Sequence, residues 1–566
     1  MDNPYMGGPV NIKIGPIGDI SNAKLIKRGE EVSKKMFKIN DRIYHIVGVS
    51  SIANSTMILG ETGMIIVDTG SLIEDGEAQL KEFQKISDKP VSAIIYTHNH
   101  YAKGARGIVT EEMEDSVEIW GHERVHRNFT EGRSELAPTY VRRMAIQSGA
   151  FLPKQGPDSN SNMGVGASYT LNVGRVGYIK PNHTVSGKQE AVIDGVRFQF
   201  MEGFSDTDDT ITIWLPDYGV AINNIIWGIF PNIGAIRGEF YRDPIPWVKS
   251  LDDLRQLDAT YLLNCHGLPV IGKEESKQVA TDYRDAIQFV YDQTIRGINR
   301  GHSPDKISEE IKMPPHLEKS AYLQPFYGEV PFAVRGIYSG VMGWYGNDTI
   351  DLHPVSPEFE GFRIIQGFGG IERVLKAAKE SFKMKEYAWA AQLATYILHA
   401  DAENSEARQI KADALRKMGQ VSTATPTRNY YITQALELEG EIDSINHHFQ
   451  VYSVEKILDA PHERYINQLR FYLDPEKSFA VNEIIQIEFT DVNQAYGLHV
   501  RHGVGELLTK VKNAGFTLAL PKKEWARLFV GEITLNDLLT NHEFVSYTGE
   551  KSELINFFSM FDCIKI

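Results

Sequence analysis

"AIIYTHNHYAKGARG", residues 93–107, is the stretch from which the fold is read. Ala93-Ile94-Ile95-Tyr96-Thr97 is a β-rich run without a turn-former, the pattern of a strand buried on both faces. It ends in His98 and His100. Residues two apart in an extended segment point to the same side, so both imidazoles can reach one ion. Imidazole nitrogens are what zinc or iron(II) accept at about 2.0–2.2 Å. The continuation, Tyr101-Ala102-Lys103, supplies little a metal would take. The stretch therefore presents half of a metal site at the end of a buried strand.

Outward from it, the chain alternates strands and helices. Residues 42–70 read as strand, turn, strand, ending in "GMIIVDTG" with Asp68 at the strand end. "SLIEDGEAQLKEFQKIS" (71–87) spaces its apolar residues three and four apart, hence a helix. This strand–helix–strand order predicts α/β layers with chemistry at the carboxyl ends of the strands. Residues 196–224 read as a second group of short strands, carrying Asp206-Thr207-Asp208-Asp209 and Asn223-Asn224. "ATYLLNCHGLP" (259–269) is a further buried strand that ends in His266. Residues 277–312 are helical, and the Pro/Gly-rich segment 353–368 reads as a boundary. From 371 to about 438 alanines pair with large apolar residues at helical spacing, a helix-hairpin texture suited to self-association or to packing on the first domain. After about 440, strands and amphipathic helices suggest a small α+β domain.

Composition narrows the function. The chain has 566 residues, 42% hydrophobic and 23% charged, with formal net charge −15. That balance disfavours nucleic acid or an anionic membrane as partner, since both demand basic patches. An anionic small molecule remains compatible, because one local arginine can dominate a pocket. Two cysteines, Cys265 and Cys563, cannot make a disulfide framework or a cysteine-rich zinc site. The N-terminal residues lack a signal pattern, and no apolar run approaches the roughly 18 residues a span requires. A cytoplasmic protein without a membrane span is expected.

The strand-end residues Asp68, His98, His100, Asp206, Asn224 and His266 should converge on one edge. In these residues the chain resembles the metallo-β-lactamase superfamily, whose motif after a strand is His-x-His-x-Asp-His. Within it, the chain resembles the alkyl sulfatases, or type III sulfatases. "IANSTMILGETGMIIVDTG" resembles their first hairpin, and "NIGAIRG" with "RDPIPWVKSLD" their substrate loop. "VYDQTIRGINRG" and "GVMGWYGN" resemble the helical part of their catalytic domain. Residues 386–438 resemble their dimerisation domain, and the last 120 or so their sterol-carrier-like domain.

The resemblance implies an αββα metallo-β-lactamase catalytic domain over residues 1–355. A helical dimerisation domain over 365–440 and an α+β sterol-carrier-like domain over 441–566 follow, in a homodimer. It implies hydrolysis of alkyl sulfates by a two-zinc site. His98 and His100 match the first two ligands, His266 the late histidine, and Asp206 stands where the family has a glutamate. Arg237 matches the arginine that grips sulfate, a task suited to a planar guanidinium.

This chain departs from the family pattern at the second metal. Its aspartate is Ala102, its histidine Lys103, its second glutamate Asn224; a histidine near the leaving group is Phe332. The expected centre is therefore reduced to one divalent metal, zinc or iron, held by His98, His100, Asp206 and His266. Lys103, Asn224 and Arg237 are the candidate catalytic residues, with Arg237 and Tyr101 binding the head of a small or amphiphilic substrate. Three readings stand: a one-metal enzyme, hydrolytic or an iron oxygenase; a sulfate hydrolase in which Lys103 replaces the second cation; or a catalytically dead lipid- or partner-binding protein.

His122 and His126 spell His-Glu-x-x-His around Glu123, a zinc-protease spacing when it lies on one helix. The surrounding "HERVHRNFTEGRSE" is short and charged, so a surface helix is expected. Asp208 and Asp209 read as loop solvation, Cys265 as a small buried filler, and "LAPTYVRRM" (136–144) as a lid helix or a solvated face.

Overall fold

The computed structural model describes residues 3–50, 52–131, 134–166, 175–447, 449, 451–540 and 543–566. Two units emerge: residues 1–129 with 142–447, and residues 130–141 with 448–566.

The first unit is built on two sheets. One has seven strands in sequential order: β1 (Lys35–Lys38), β2 (Ile43–Val47), β3 (Ser55–Leu59), β4 (Met64–Val67), β5 (Val91–Ile95), β6 (Glu118–His122) and β7 (His183–Val185). Pairing is antiparallel through β4 and parallel from β4 to β7. The helix expected after Asp68, α1 (Ile73–Phe83), makes the crossover from β4 to β5. The second sheet runs β8 (Lys188–Ile193), β9 (Val196–Gly203), β10 (Thr210–Leu215), β11 (Val220–Asn223), β12 (Tyr261–Asn264) and β13 (Val270–Ile271). Only β11 and β12 pair in parallel here, and α2 (Pro244–Arg255) lies in the crossover between them.

The two sheets share one apolar core. Ile43, Ile65, Ala93 and Ile95 of the first meet Phe198, Phe200, Ile211, Ile213 and Leu263 of the second. The opposite face of the first sheet, with Ile66, Ile94 and Ile119, packs on Phe83 of α1. That of the second, with Trp214, Ala221 and Leu262, packs on Trp247 and Leu251 of α2 and on Tyr283 and Ile287 of α3 (Lys273–Asn299). The layers are thus αββα. Every residue of β4 and of β10 is buried; β4 accordingly reads as an unbroken apolar run, while β10 buries the threonines Thr210 and Thr212 between its apolar residues.

After α4 (Val330–Met342) the chain becomes helical: α5 (Pro357–Phe368), α6 (Ile371–Lys383), α7 (Tyr387–Ala400), α8 (Ser405–Val421) and α9 (Thr425–Leu438). The boundary expected at 353–368 is mostly the helix α5. Ser356 caps it and Pro357 opens it, so the proline starts a helix rather than a linker. Of the two expectations for this region, packing on the first domain is met by α8 and α9. Buried Arg428 donates to Ser159 O at 2.7 Å and Ser21 Oγ at 3.1 Å, and Arg416 pairs with Asp158 at 2.9 Å.

Glu329, at the N-cap of α4, accepts a hydrogen bond from Thr427 on α9. Burial pushes its carboxyl up to about 7 from an ordinary 4.5. A carboxyl raised in the fold stabilises fully below its unfolded value, and that contribution is lost as pH rises through the folded value. The window is therefore pH 4.5–7, and at about 1.4 kcal/mol per unit its full span costs at most about 3 kcal/mol. Glu329→Gln is expected to melt a few degrees above wild type at pH 8 and with it near pH 4.5. Thermal melts at the two pH values check this; equal differences at both would contradict it.

The second unit is a five-stranded sheet: β14 (Asn482–Phe489), β15 (Gln494–Arg501), β16 (Val504–Leu508), β17 (Phe516–Leu520) and β18 (Ser546–Tyr547), in the order β16-β15-β14-β17-β18. Ile485, Ile487, Leu498 and Leu518 bury one face against Trp525 and Leu528 of α10 (Lys522–Phe529) and Leu554 and Phe558 of α11 (Lys551–Phe558). Among the described residues, no helix is long and apolar enough to cross a membrane.

Candidate functional site

In the first unit the carboxyl ends of β4, β5, β9, β11 and β12 meet at one edge. The Ile211 N–H donates to Thr97 O at 2.9 Å, and the Cys265 N–H to Asn223 O at 2.8 Å. The first tie joins the two sheets at the end of β5, and the second aligns the ends of β11 and β12.

Asp68 leaves β4 with φ of +60°, in the left-handed region that costs a non-glycine residue. That turn aims its carboxylate at Thr97, whose backbone N–H and hydroxyl donate to it at 2.8 and 2.7 Å. With its proton committed to Asp68, the Thr97 oxygen accepts from His98 Nδ1 at 3.0 Å. His98 Nε2 is thereby left as a lone pair. It is buried and has no hydrogen-bond partner among the described residues. Burial pushes the imidazole well below its ordinary value, so it is neutral, the form that ligates metal.

His100 Nδ1 lies 3.2 Å from Asp206 Oδ2. Burial alone would raise the Asp206 carboxyl, but His100, Arg242 and His98 hold it well below the usual range, ionised. Its other oxygen accepts from Asn224 Nδ2 at 2.8 Å and Ser205 Oγ at 3.1 Å. Donor atoms of His98, His100 and Asp206 all lie within 4.8 Å of one another, the only such cluster found among the described residues. Two imidazoles, one with an orphaned buried nitrogen, and an ionised carboxylate fit a divalent ion.

The remaining sequence candidates fall around this triad. His266 stands outside the cluster: Tyr101 Oη is 3.3 Å from its Nε2, and its Nδ1 is 2.8 Å from Ile52 O. Tyr101, expected at the substrate, is buried beside three histidines. Ala102 is buried and forms a backbone bridge with Gly70. The Lys103 carbonyl accepts the Gly177 N–H at 2.7 Å, and its side chain is partly buried. Asn224, expected among the catalytic residues, directs its amide nitrogen to Asp206 and leaves Oδ1 buried without a hydrogen-bond partner among the described residues. The Ala102 methyl, the Lys103 side chain and the Asn224 amide add neither a carboxylate nor an imidazole to the triad.

Arg237 is buried and donates to Glu239 at 2.5 Å. Sequence reading missed Arg242. Its guanidinium is 1% exposed, sits 3.7 Å from Asp206 and 3.8 Å from Glu239, and donates one bond, to Asn232 O. Its Nε and Nη2 have no hydrogen-bond partner among the described residues. Arg237, Glu239, Arg242, Asp206 and His100 thus form one chain of charges. Arg242 and Glu239 also line a cavity of about 440 Å³, whose apolar walls include Ile233, Ile236, Phe240, Tyr241 and Phe332.

The structure differs from the sequence expectations at three further positions, His122, Asp208 and Asp209. His122 ends β6 and is buried, while His126 lies in the helix Val125–Glu131, so the two do not share a helix. His122 Nε2 instead pairs with Glu202 at 3.3 Å. Asp209 is not loop solvation: it is buried and accepts from the Asn99 N–H and side-chain amide at 3.2 Å each, bracing the loop between the two histidines. Asp208 holds Arg127 and Asn128. Residues 137–148 are helical, as read for the lid segment.

Comparison with known proteins agrees with this architecture. Residues 50–222 match the family model of the metallo-beta-lactamase superfamily, 303–441 that of alkyl sulfatase dimerisation, and 456–565 that of the alkyl sulfatase C-terminal domain. A linear primary-alkylsulfatase from Pseudomonas sp. is 34% identical over 494 residues, covering 85% of this chain and 93% of the relative. An alkyl/aryl-sulfatase from Saccharomyces cerevisiae is 27% identical over 550 residues, covering 93% of this chain and 83% of the relative. The solved structure of a stereoselective inverting sec-alkylsulfatase from Pseudomonas sp. superposes with TM-score 0.84 at 24% identity, over 99% of this chain and 93% of that one, and shows the same fold.

Proposed function

The chain belongs to the alkylsulfatase family of the metallo-beta-lactamase superfamily and is an enzyme of hydrolase type; on that premise we propose that it hydrolyses sulfate esters of amphiphilic alcohols with one divalent metal, zinc or iron. The metal would be held by His98, His100 and Asp206, whose donors cluster within 4.8 Å. When bound it supplies Lewis acidity at the ester and a water of lowered pKa. The kinship is with sulfatases throughout, which favours hydrolysis over the oxidative and binding-only readings.

The observation that carries this reading is Arg242. A buried guanidinium whose Nε and Nη2 make no hydrogen bond among the described residues, beside the triad and on a cavity wall, is suited to a sulfate head. Arg237, tied to it through Glu239, adds positive charge. The apolar walls at Ile233, Ile236, Phe240 and Phe332 would take the alkyl chain. Asn224 and Ser205 hold the Asp206 carboxylate oriented, and Asp68 through Thr97 fixes the His98 tautomer. Phe332 carries no proton, so the alcohol's proton would come from elsewhere than that position. We further assign the protein to the homodimers, through residues 365–440, with a sterol-carrier-like unit over 441–566.

Incubation of the metal-loaded enzyme with a linear primary alkyl sulfate is expected to release inorganic sulfate and the alcohol, and chelation to stop it. No sulfate from the reconstituted enzyme would overturn the reading.

A further inference from the structure

Tyr101 is packed among three of the histidines that the strand ends bring together. Its ring meets those of His98, His100 and His266 edge-on, with centroids 5.1, 6.2 and 5.3 Å apart. The backbone at Tyr101 is tied down. The Tyr101 carbonyl accepts two hydrogen bonds from Thr69, from its N–H and its hydroxyl, at 2.9 Å each. Tyr101 itself is 6% exposed.

The hydrogen-bond sense at His266 can be assigned. Its Nδ1 is 2.8 Å from Ile52 O, and a carbonyl only accepts, so Nδ1 carries the proton. Nε2 is then a lone pair, and the Tyr101 hydroxyl 3.3 Å away donates to it. That lone pair is what a metal would need from His266. Trp227 stacks edge-on against the ring at 5.3 Å, which holds the imidazole in this orientation. The adjoining residues cooperate: Ala102 offers no donor, and the Asn224 amide nitrogen is turned to Asp206.

We propose that Tyr101 is a built-in plug: its ring fills the second metal's place and its hydroxyl occupies His266 Nε2, so the centre accepts one ion and His266 is not a ligand. This rests on the one-metal reading above and adds the residue that enforces it. Tyr101 is a positioning residue here, acting through His266.

The test is zinc affinity and stoichiometry of the full chain, by competition with a chelating dye, for wild type, His266→Ala, Tyr101→Ala and the double variant. A direct ligand is worth at least the roughly 10–100-fold that an outer partner contributes to metal affinity. His266→Ala is expected to leave the wild-type Kd within about threefold. Tyr101→Ala frees the lone pair and the space, so zinc should bind about tenfold tighter or more, or a second ion should enter. The double variant should lose that gain. Tyr101→Leu, which keeps apolar packing but removes the hydroxyl and the outer part of the ring, covers the case in which the alanine variant fails to fold and should also bind zinc more tightly than wild type. The cobalt(II) absorption spectrum should change with Tyr101→Ala and not with His266→Ala. A tenfold loss of affinity in His266→Ala alone would overturn the inference, as would unchanged affinity and stoichiometry in both Tyr101 variants. Two ions in the wild-type chain would instead overturn the one-metal reading itself.

Discussion

His100→Ala is expected to give a folded chain that holds no metal and releases sulfate at least about a thousandfold more slowly than wild type. His100 is the right position for this. His98 is fully buried and tied through Thr97 to Asp68, so its truncation would also open the strand-end core. The His100 side chain is 24% exposed and its pairing with Asp206 is a single contact at 3.2 Å. Removing it leaves two donors, too few to compete with water and buffer for a divalent ion. The assay pairs metal content with sulfate release and a thermal melt. Full turnover by a metal-free His100→Ala protein would contradict the account.

The second large effect is expected at Arg242. Its charge lies between two carboxylates, Asp206 at 3.7 Å and Glu239 at 3.8 Å, at 1% exposure. Removing one partner of a buried charge set leaves the others uncompensated, at a cost of about 3–5 kcal/mol. Arg242→Met should therefore unfold at lower denaturant. It should also lower kcat/KM about 10²–10³-fold, the scale of losing one well-placed donor to a developing anion. Arg242→Lys keeps the charge but not the planar fork, and should recover stability more than kcat/KM. If Arg242→Met folds normally and keeps kcat/KM within about threefold, Arg242 does not serve the sulfate head.

Much of this centre is legible in the sequence because it sits at strand ends. His98 and His100 follow a buried strand at i, i+2, and Asp68, Asp206, Asn224 and His266 each follow another; the fold brings such ends together whatever the loops do. Arg242, at the start of the stretch read as part of a substrate loop, gave no strand-end signal. A lone arginine before a helix N-terminus, in "RDPIPW", is common, and its meaning comes from a loop returning over Asp206. The contact of Tyr101 with His266 was hidden for a related reason: the two lie 165 residues apart. The His-Glu-x-x-His spacing misled because a strand ends inside it, which pattern reading cannot place to the residue. Helix α5 was obscured by composition, since proline and glycine mark both linkers and helix ends. The two fates of the helical domain could not be separated, because alanine-rich faces suit either partner; buried Arg428 reaching Ser21 and Ser159 settles that α8 and α9 dock on the first domain.

The central claim is a sulfatase-type centre that works with one metal. Its most direct test is elemental analysis of the chain purified without chelator, before and after reconstitution with zinc or iron(II). About one ion per chain, lost in His100→Ala, is the result this account predicts. Two ions per wild-type chain, or none after reconstitution, would contradict it.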